Sequence, residues 1–277
     1  MAVDRRAFYE PDEVLAGVHS KVERAEESGE TIDYLTFVPD GEPTLDINLG
    51  DEIEGLGPLG IKTAVISNAS LVWREDVREA LAKADWVSLK VDAASTEIWR
   101  RVNRPHGGLE LDDIQAGMLA FARDYDGVLA TETMLVDGIN DGEDAVAEVA
   151  DFLACLGPDR AYIAIPTRPP AEPWAQAPNE ETINRAYQIV SERVDEVEYL
   201  IGYEGSTFSF TGDVEEDLLS ITAVHPMRKD AVREFLARAG ADWGVIRRLV
   251  AQEQLVEAGY GGHLFYMRRL RGHGEGA

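Results

Sequence analysis

Cysteine is almost missing from this chain. Cys155 is the one thiol in 277 residues, which excludes an intrachain disulfide and any cysteine-only metal site within it. It falls in Val149 to Leu156, an apolar stretch with helical spacing, and is expected to be a buried, inert thiol rather than a nucleophile. Long hydrophobic runs are missing too. No stretch of about 18 apolar residues occurs, so no transmembrane helix is expected, and the charged start MAVDRRAFYEPDEV has no apolar signal core. The expectation is a soluble, cytoplasmic protein with no membrane partner. Lysine is scarce: Lys21, Lys62, Lys83, Lys90 and Lys229 are all of them, and the net charge is −26. The acids are spread along the chain rather than blocked. That pattern suits a solvated acidic surface in a salt-rich, halophilic cytoplasm, where the screening length falls to roughly 3 Å at 1 M. An acidic face for a basic partner is the weaker reading.

What is present is a rhythm. Residues 11–28 read as a helix, with Pro11 at its start, Gly29 at its exit and a stripe of Val14, Val18, Val22 and Ala25. Ile32 to Val38 then reads as a strand buried on both faces, stopped by Pro39-Asp40-Gly41-Glu42-Pro43. A helix near 47–57 leads to a strand at 61–67, and a helix at 73–83 to a strand at 86–92; a polar segment with Asn103-Arg104-Pro105-His106 then leads into a helix at 111–124 and a strand at 128–136. Asp141 is placed to cap a helix ending at Leu156, with Gly157-Pro158 as its stop. A strand at 161–165, a helix at 180–193 capped by Asn179 and a strand at 197–203 follow. Six alternations of strand and helix predict an α/β fold: an incomplete (β/α) TIM-like barrel with a parallel sheet, over residues 1–204. The chain opens on a helix where such a unit expects a strand, so a first strand is expected upstream of Met1.

After Tyr203 the pattern changes. Residues 215–224, 229–239 and 242–252 read as three helices, and 256–269 as a hairpin. Together they predict a small winged-helix-like domain over 205–277. Basic residues outnumber acidic ones from Arg228 onward, against a strongly acidic remainder. Arg247, Arg248, Arg268, Arg269 and Arg271 could contact nucleic acid or tRNA phosphates. The alternative, a protein or substrate lid whose arginines pair with the acidic barrel, is the stronger reading because the whole-protein field repels phosphate.

Active sites of α/β barrels form at the carboxyl ends of the strands. There the sequence places Asp40, Gly41, Glu42, Pro43 and Thr44; Ser67 and Asn68; Lys90 and Asp92; Glu132 and Thr133; and Pro166, Thr167 and Arg168. Each alone is explained by a turn or a cap. Their convergence from five strand ends makes them candidates. Glu132 and Thr133 interrupt an apolar strand, so the carboxylate needs a partner, for which Lys90 is placed, as it is for Asp92. His106, His225 and His263 are possible substrate-site residues, with His225 reading better as a bridge between domains.

The run FVPDGEPTLD, with SNAS at 67–70, WVSLKVD at 86–92, TETMLV at 131–136, AYIAIPTRPPAE at 161–172 and EEDLLSITAVHPMR at 215–228, resembles the radical S-adenosylmethionine (SAM) proteins, in particular a group of archaeal and bacterial iron–sulfur oxidoreductases. The resemblance spans nearly the whole chain. It implies a partial barrel binding SAM across its strand ends, with the Gly41-Glu42-Pro43 turn offering carbonyls to the SAM amino group. Asn68, Lys90 and Asp92 would lie near the ribose or carboxylate, and the 166–168 turn near the adenine. It also implies a [4Fe–4S] cluster that reduces SAM, giving a 5′-deoxyadenosyl radical that abstracts hydrogen from an unknown substrate, with ferredoxin or flavodoxin as electron donor. The family holds that cluster in a CxxxCxxC loop, and this chain has no ligands for it. The expectation is that the loop and the first strand precede Met1, in an absent segment of roughly 40–60 residues. A natural cluster-free SAM-binding or ligand-binding homologue is the alternative.

Overall fold

The structure, a computed structural model, describes residues 3–38, 41–170, 172–200, 212–224, 226–260 and 262–269. The chain divides into two units. The first comprises Met1–His19, Ile32–Pro166 and Pro170–Gly202, and the second Ser20–Thr31, Thr167–Pro169 and Tyr203–Ala277.

The first unit is built on six strands: β1 (Tyr34–Phe37), β2 (Lys62–Ser67), β3 (Trp86–Lys90), β4 (Val128–Met134), β5 (Arg160–Ala164) and β6 (Val197–Leu200). They form one parallel sheet in sequence order, the order that crossover connections between successive neighbours produce. The register pairs Phe37 with Val65, Ser67 with Leu89, and Lys90 with Glu132. The strands' carboxyl ends therefore fall at one edge of the sheet. β1 and β6 do not pair, so the described residues form an open sheet, part of a barrel rather than a closed one.

The helix α1 (Pro11–Glu27) is divided between the two units; the helices wholly in the first are α2 (Leu49–Leu56), α3 (Glu75–Leu81), α4 (Thr96–Val102), α5 (Leu111–Asp124), α6 (Glu143–Leu156) and α7 (Glu180–Ser191). Their apolar stripes cover the sheet. Val65, Val87, Leu89 and Ile163 from the strands share a core with Ile53, Val77, Ile114, Met118, Val149 and Leu153 from the helices. Helix ends largely follow the sequence. Asn179 caps α7 by accepting from Thr182 N at 2.9 Å, and Gly157 closes α6 at φ 64°.

Four expectations are corrected. The first strand is not buried on both faces: β1 lies at the sheet edge with alternating exposed and half-buried residues, because one flank has no partner strand. Asp141 does not cap α6; the cap position is Gly142 and no side chain bonds there. Cys155 is exposed, since the buried stripe of α6 runs through Val146, Val149, Ala150, Leu153 and Leu156 and leaves residue 155 off it. The segment before Asn103 is not merely polar. It contains α4, whose short, Arg-rich sequence buries Trp99.

The second unit holds α8 (Val214–Val224), β7 (Met227–Arg228), α9 (Lys229–Arg238), α10 (Gly244–Ala251), β8 (Leu255–Tyr260) and β9 (His263–Arg268). The expected hairpin is there: β8 and β9 pair antiparallel with Tyr260 opposite His263. The two-residue β7, too short to carry a sequence signal, extends the sheet in the order β7-β9-β8. Leu218, Met227, Val232, Phe235, Ile246, Leu249 and Tyr266 make a separate core. No helix among the described residues is long and apolar enough to cross a membrane.

Candidate functional site

The carboxyl ends of β1, β2 and β3 open into a cavity of about 470 Å3, with Gly41, Glu42, Asn68, Lys90, Asp92 and Asn103 in its polar wall. Leu109, Ile114 and Met118, from α5 and the turn before it, supply apolar wall. The volume suits a small-molecule ligand.

Glu42 fixes the first corner. It follows β1 in extended conformation and caps a 3-10 turn at Pro43–Leu45. Its Oε1 accepts from Thr44 N (3.1 Å), Thr44 Oγ1 (2.7 Å) and Ser67 Oγ (2.7 Å), and its Oε2 from Asn68 N (2.7 Å). One buried carboxylate thus ties the 41–45 turn to the tip of β2. Burial pushes its pKa up, against the pull of these donors. The carbonyls of Glu42 and Pro43 already accept from Leu45 N and Asp46 N, leaving each one free lone pair. At the next tip, Ala69 takes a left-handed φ of 61°, and Asn68 Oδ1 accepts from Ser70 N at 2.9 Å.

The second corner is ionic. Lys90 Nζ lies 2.9 Å from Glu132 Oε1 and 3.5 Å from Asp92 Oδ1. Burial opposes the ammonium charge, but the two carboxylates outweigh it and hold the lysine above its ordinary range. Asp92 is buried; its Oδ1 accepts from Met134 N (2.8 Å) and its Oδ2 from Asn103 Nδ2 (2.6 Å). Asn140 braces the same tips: its Nδ2 donates to Asp92 O and Met134 O, and its Oδ1 accepts from Val136 N. Asn103 Oδ1 is buried without a partner among the described residues, so the wall holds an acceptor that a ligand donor would satisfy.

Of the residues singled out in the sequence, Gly41, Glu42, Asn68, Lys90 and Asp92 share this cavity, and His106 lies in its wall with Nδ1 accepting from Gly108 N. Others hold it from behind. Thr44 bonds Glu42, Pro43 is buried beside it, Glu132 pairs with Lys90, and Thr133 Oγ1 donates to Val91 O at 2.8 Å. Three of the five strand ends, those of β1, β2 and β3, meet at this cavity. β4 contributes by bracing, Pro166 does not line the cavity, and Thr167 and Arg168 group with the second unit. His263 is also in the second unit, beside Arg228. Asp40, His225 and Arg271 lie outside the described residues. Arg248 and Arg269 pair with Glu215 and Glu253 of their own unit, so for these two the pairing expected with the acidic barrel is corrected. Ser67, placed with Asn68 at the tip of β2, bonds Glu42; sequence reasoning missed Asn103 and Asn140 as working residues. Asn140 had a signal, a polar residue just past a strand end; Asn103, at the exit of an unrecognised helix, had none.

The described residues contain no group of three His, Cys, Asp or Glu able to hold a metal ion, and the lone exposed thiol of α6 is no cluster ligand set. The residues present therefore do not fit a [4Fe–4S] cluster.

No family model matches the chain. A UPF0026 protein of Methanocaldococcus jannaschii is 41% identical over 271 residues, 97% of this chain and 84% of that one. A solved radical SAM methyltransferase from Sphaerobacter thermophilus has a TM-score of 0.53 at 19% identity, covering 71% of this chain and 59% of its own. A solved TYW1 with a lysine-pyruvate adduct bound also scores 0.53, at 17% identity, over 68% of this chain and 64% of its own. The parallel sheet is thus of the type found in radical SAM enzymes, and the chain, by its likeness to the Methanocaldococcus protein over nearly its full length, belongs to the UPF0026 family.

Proposed function

We propose that the cavity at the β1–β3 tips binds S-adenosylmethionine, and that the chain is the SAM-binding core of a radical SAM enzyme. The observation that carries this reading is the Glu42-locked turn standing beside Asn68 and the Lys90–Asp92 pair, at adjacent strand tips of a fold shared with radical SAM enzymes. SAM carries an ammonium, a carboxylate, a sulfonium and ribose hydroxyls. The free lone pairs of the 41–43 carbonyls suit the ammonium. Lys90 and the Asn68 amide suit the carboxylate. The orphan Asn103 Oδ1 suits a hydroxyl, and the apolar wall at Leu109, Ile114 and Met118 suits the adenine.

SAM bound here would carry the reactive chemistry, the protein supplying its binding and orientation. The residues of this chain bind and orient it; an iron–sulfur cluster finds no ligands among those described. In the second unit, the order α8-β7-α9-α10-β8-β9 with a three-stranded antiparallel sheet supports a winged-helix reading, with the module serving as a recognition element for the substrate.

Titration calorimetry with SAM on the whole chain tests the reading. Saturable one-site heat is expected, weakened about tenfold or more (about 1.4 kcal/mol) in Asn68→Ala and Asp92→Asn. Absence of binding, or binding indifferent to both substitutions, would reject it.

A further inference from the structure

A second cavity, of about 400 Å3, lies wholly in the second unit. α9 presents Lys229, Arg233, Leu236 and Ala237 to it, a spacing that sets all four on one helix face. The turn after α9 adds Ala241 and Trp243. Lys229 Nζ and Arg233 Cζ each stand 5.8 Å from the centroid of the Trp243 ring. The indole packs edge-on against the buried Tyr266, at 5.7 Å and 75°.

The charges are the anomaly. Acids outnumber basic residues 52 to 26 in this chain, yet neither Lys229 nor Arg233 has an ion-pair partner among the described residues. Nearby cations do: Arg228 pairs with Asp230, Arg248 with Glu215 and Arg269 with Glu253. Asp230 and Glu234 fall roughly 100° further round α9, off the cavity face. Two uncompensated cations above one aromatic ring and a Leu–Ala floor match an anion joined to a flat, largely apolar body. A guanidinium and an ammonium hold phosphate oxygens, and an indole face stacks a base of any identity.

We propose that this pocket binds a nucleoside phosphate, with the phosphate between Lys229 and Arg233 and the base against Trp243, Leu236 and Ala237. The nucleotide arrives free or as one unit of an RNA strand. This site is independent of the SAM reading, since it shares no residue with the strand-tip cavity.

The test is calorimetry on the whole chain saturated with SAM, using uridine monophosphate and a six-residue oligouridylate. Uridine is chosen because the strand-tip cavity would read adenosine. The proposal expects saturable binding of one or both, about tenfold or more weaker in Lys229→Ala and Arg233→Ala, with SAM affinity and circular dichroism unchanged. Uridine and inorganic phosphate should each bind far more weakly than the joined molecule. Equal affinity for monophosphate and oligomer assigns the free nucleotide; a clear preference for the oligomer assigns the strand. No nucleotide binding, binding that survives both substitutions, or stronger binding of a polyglutamate peptide overturns it.

Discussion

At the residue scale the site rests on two acids with opposite surroundings. Glu42 is buried among neutral donors and has no cation among its partners. Glu42→Ala would strand the Asn68 and Thr44 amides and cost on the order of 3 kcal/mol in urea unfolding. Because its folded pKa is raised from an ordinary value near 4.5, Glu42 contributes most stability below that pH and loses the contribution as pH rises through the elevated value. The penalty of Glu42→Gln should therefore be larger at pH 4 than at pH 7 in paired denaturation curves, and the reverse order would contradict this assignment. Asp92 is held instead by Lys90. Lys90→Met leaves Asp92 and Glu132 facing each other uncompensated and should cost about 3 kcal/mol, the low end for a buried pair because Glu132 is partly exposed. Adding Glu132→Gln should recover part of it. Glu42, Asn68, Lys90 and Asp92 were legible because each stands at or just past a strand end. Asn103 and the bracing role of Asn140 were not, since their partners are 11 and 48 residues away in sequence.

At the element scale, periodicity located every strand of the parallel sheet and failed where context decides. A continuous apolar run reads as a doubly buried strand, yet β1 is an edge strand; nothing local tells a strand whether a neighbour lies on each side. Helix α4 escaped because seven residues with two arginines carry too little apolar stripe. One close approach was invisible in sequence but is testable. Gly117 in α5 packs on the turn after β2, where an added Cβ would stand 2.5 Å from Trp73 Cα and 2.6 Å from Val72 O. Both are backbone atoms and cannot rotate away. Gly117→Ala should lower stability by about 2 kcal/mol despite its better helix propensity, and a gain in Tm would show that α5 sits elsewhere.

At the scale of the whole molecule, charge dominates. A net charge of −26 repels itself at low ionic strength, and added salt relieves the folded chain more than the expanded one. Tm is expected to rise from 0.1 M to 2 M KCl; a flat or falling curve would remove the reading of the surface as salt-adapted. The alternating strands and helices made the parallel sheet legible in the sequence. The short β7 was not, because a two-residue strand is defined only by its partner Tyr266–Phe265. The central claim is that the locked turn at 41–45 and the Lys90–Asp92 corner make a SAM site. A crystal structure of the whole chain grown with SAM tests it most directly. The account predicts SAM density in the strand-tip cavity, in contact with Gly41, Asn68 and Asn103; SAM bound elsewhere, with that cavity holding only solvent, would contradict it.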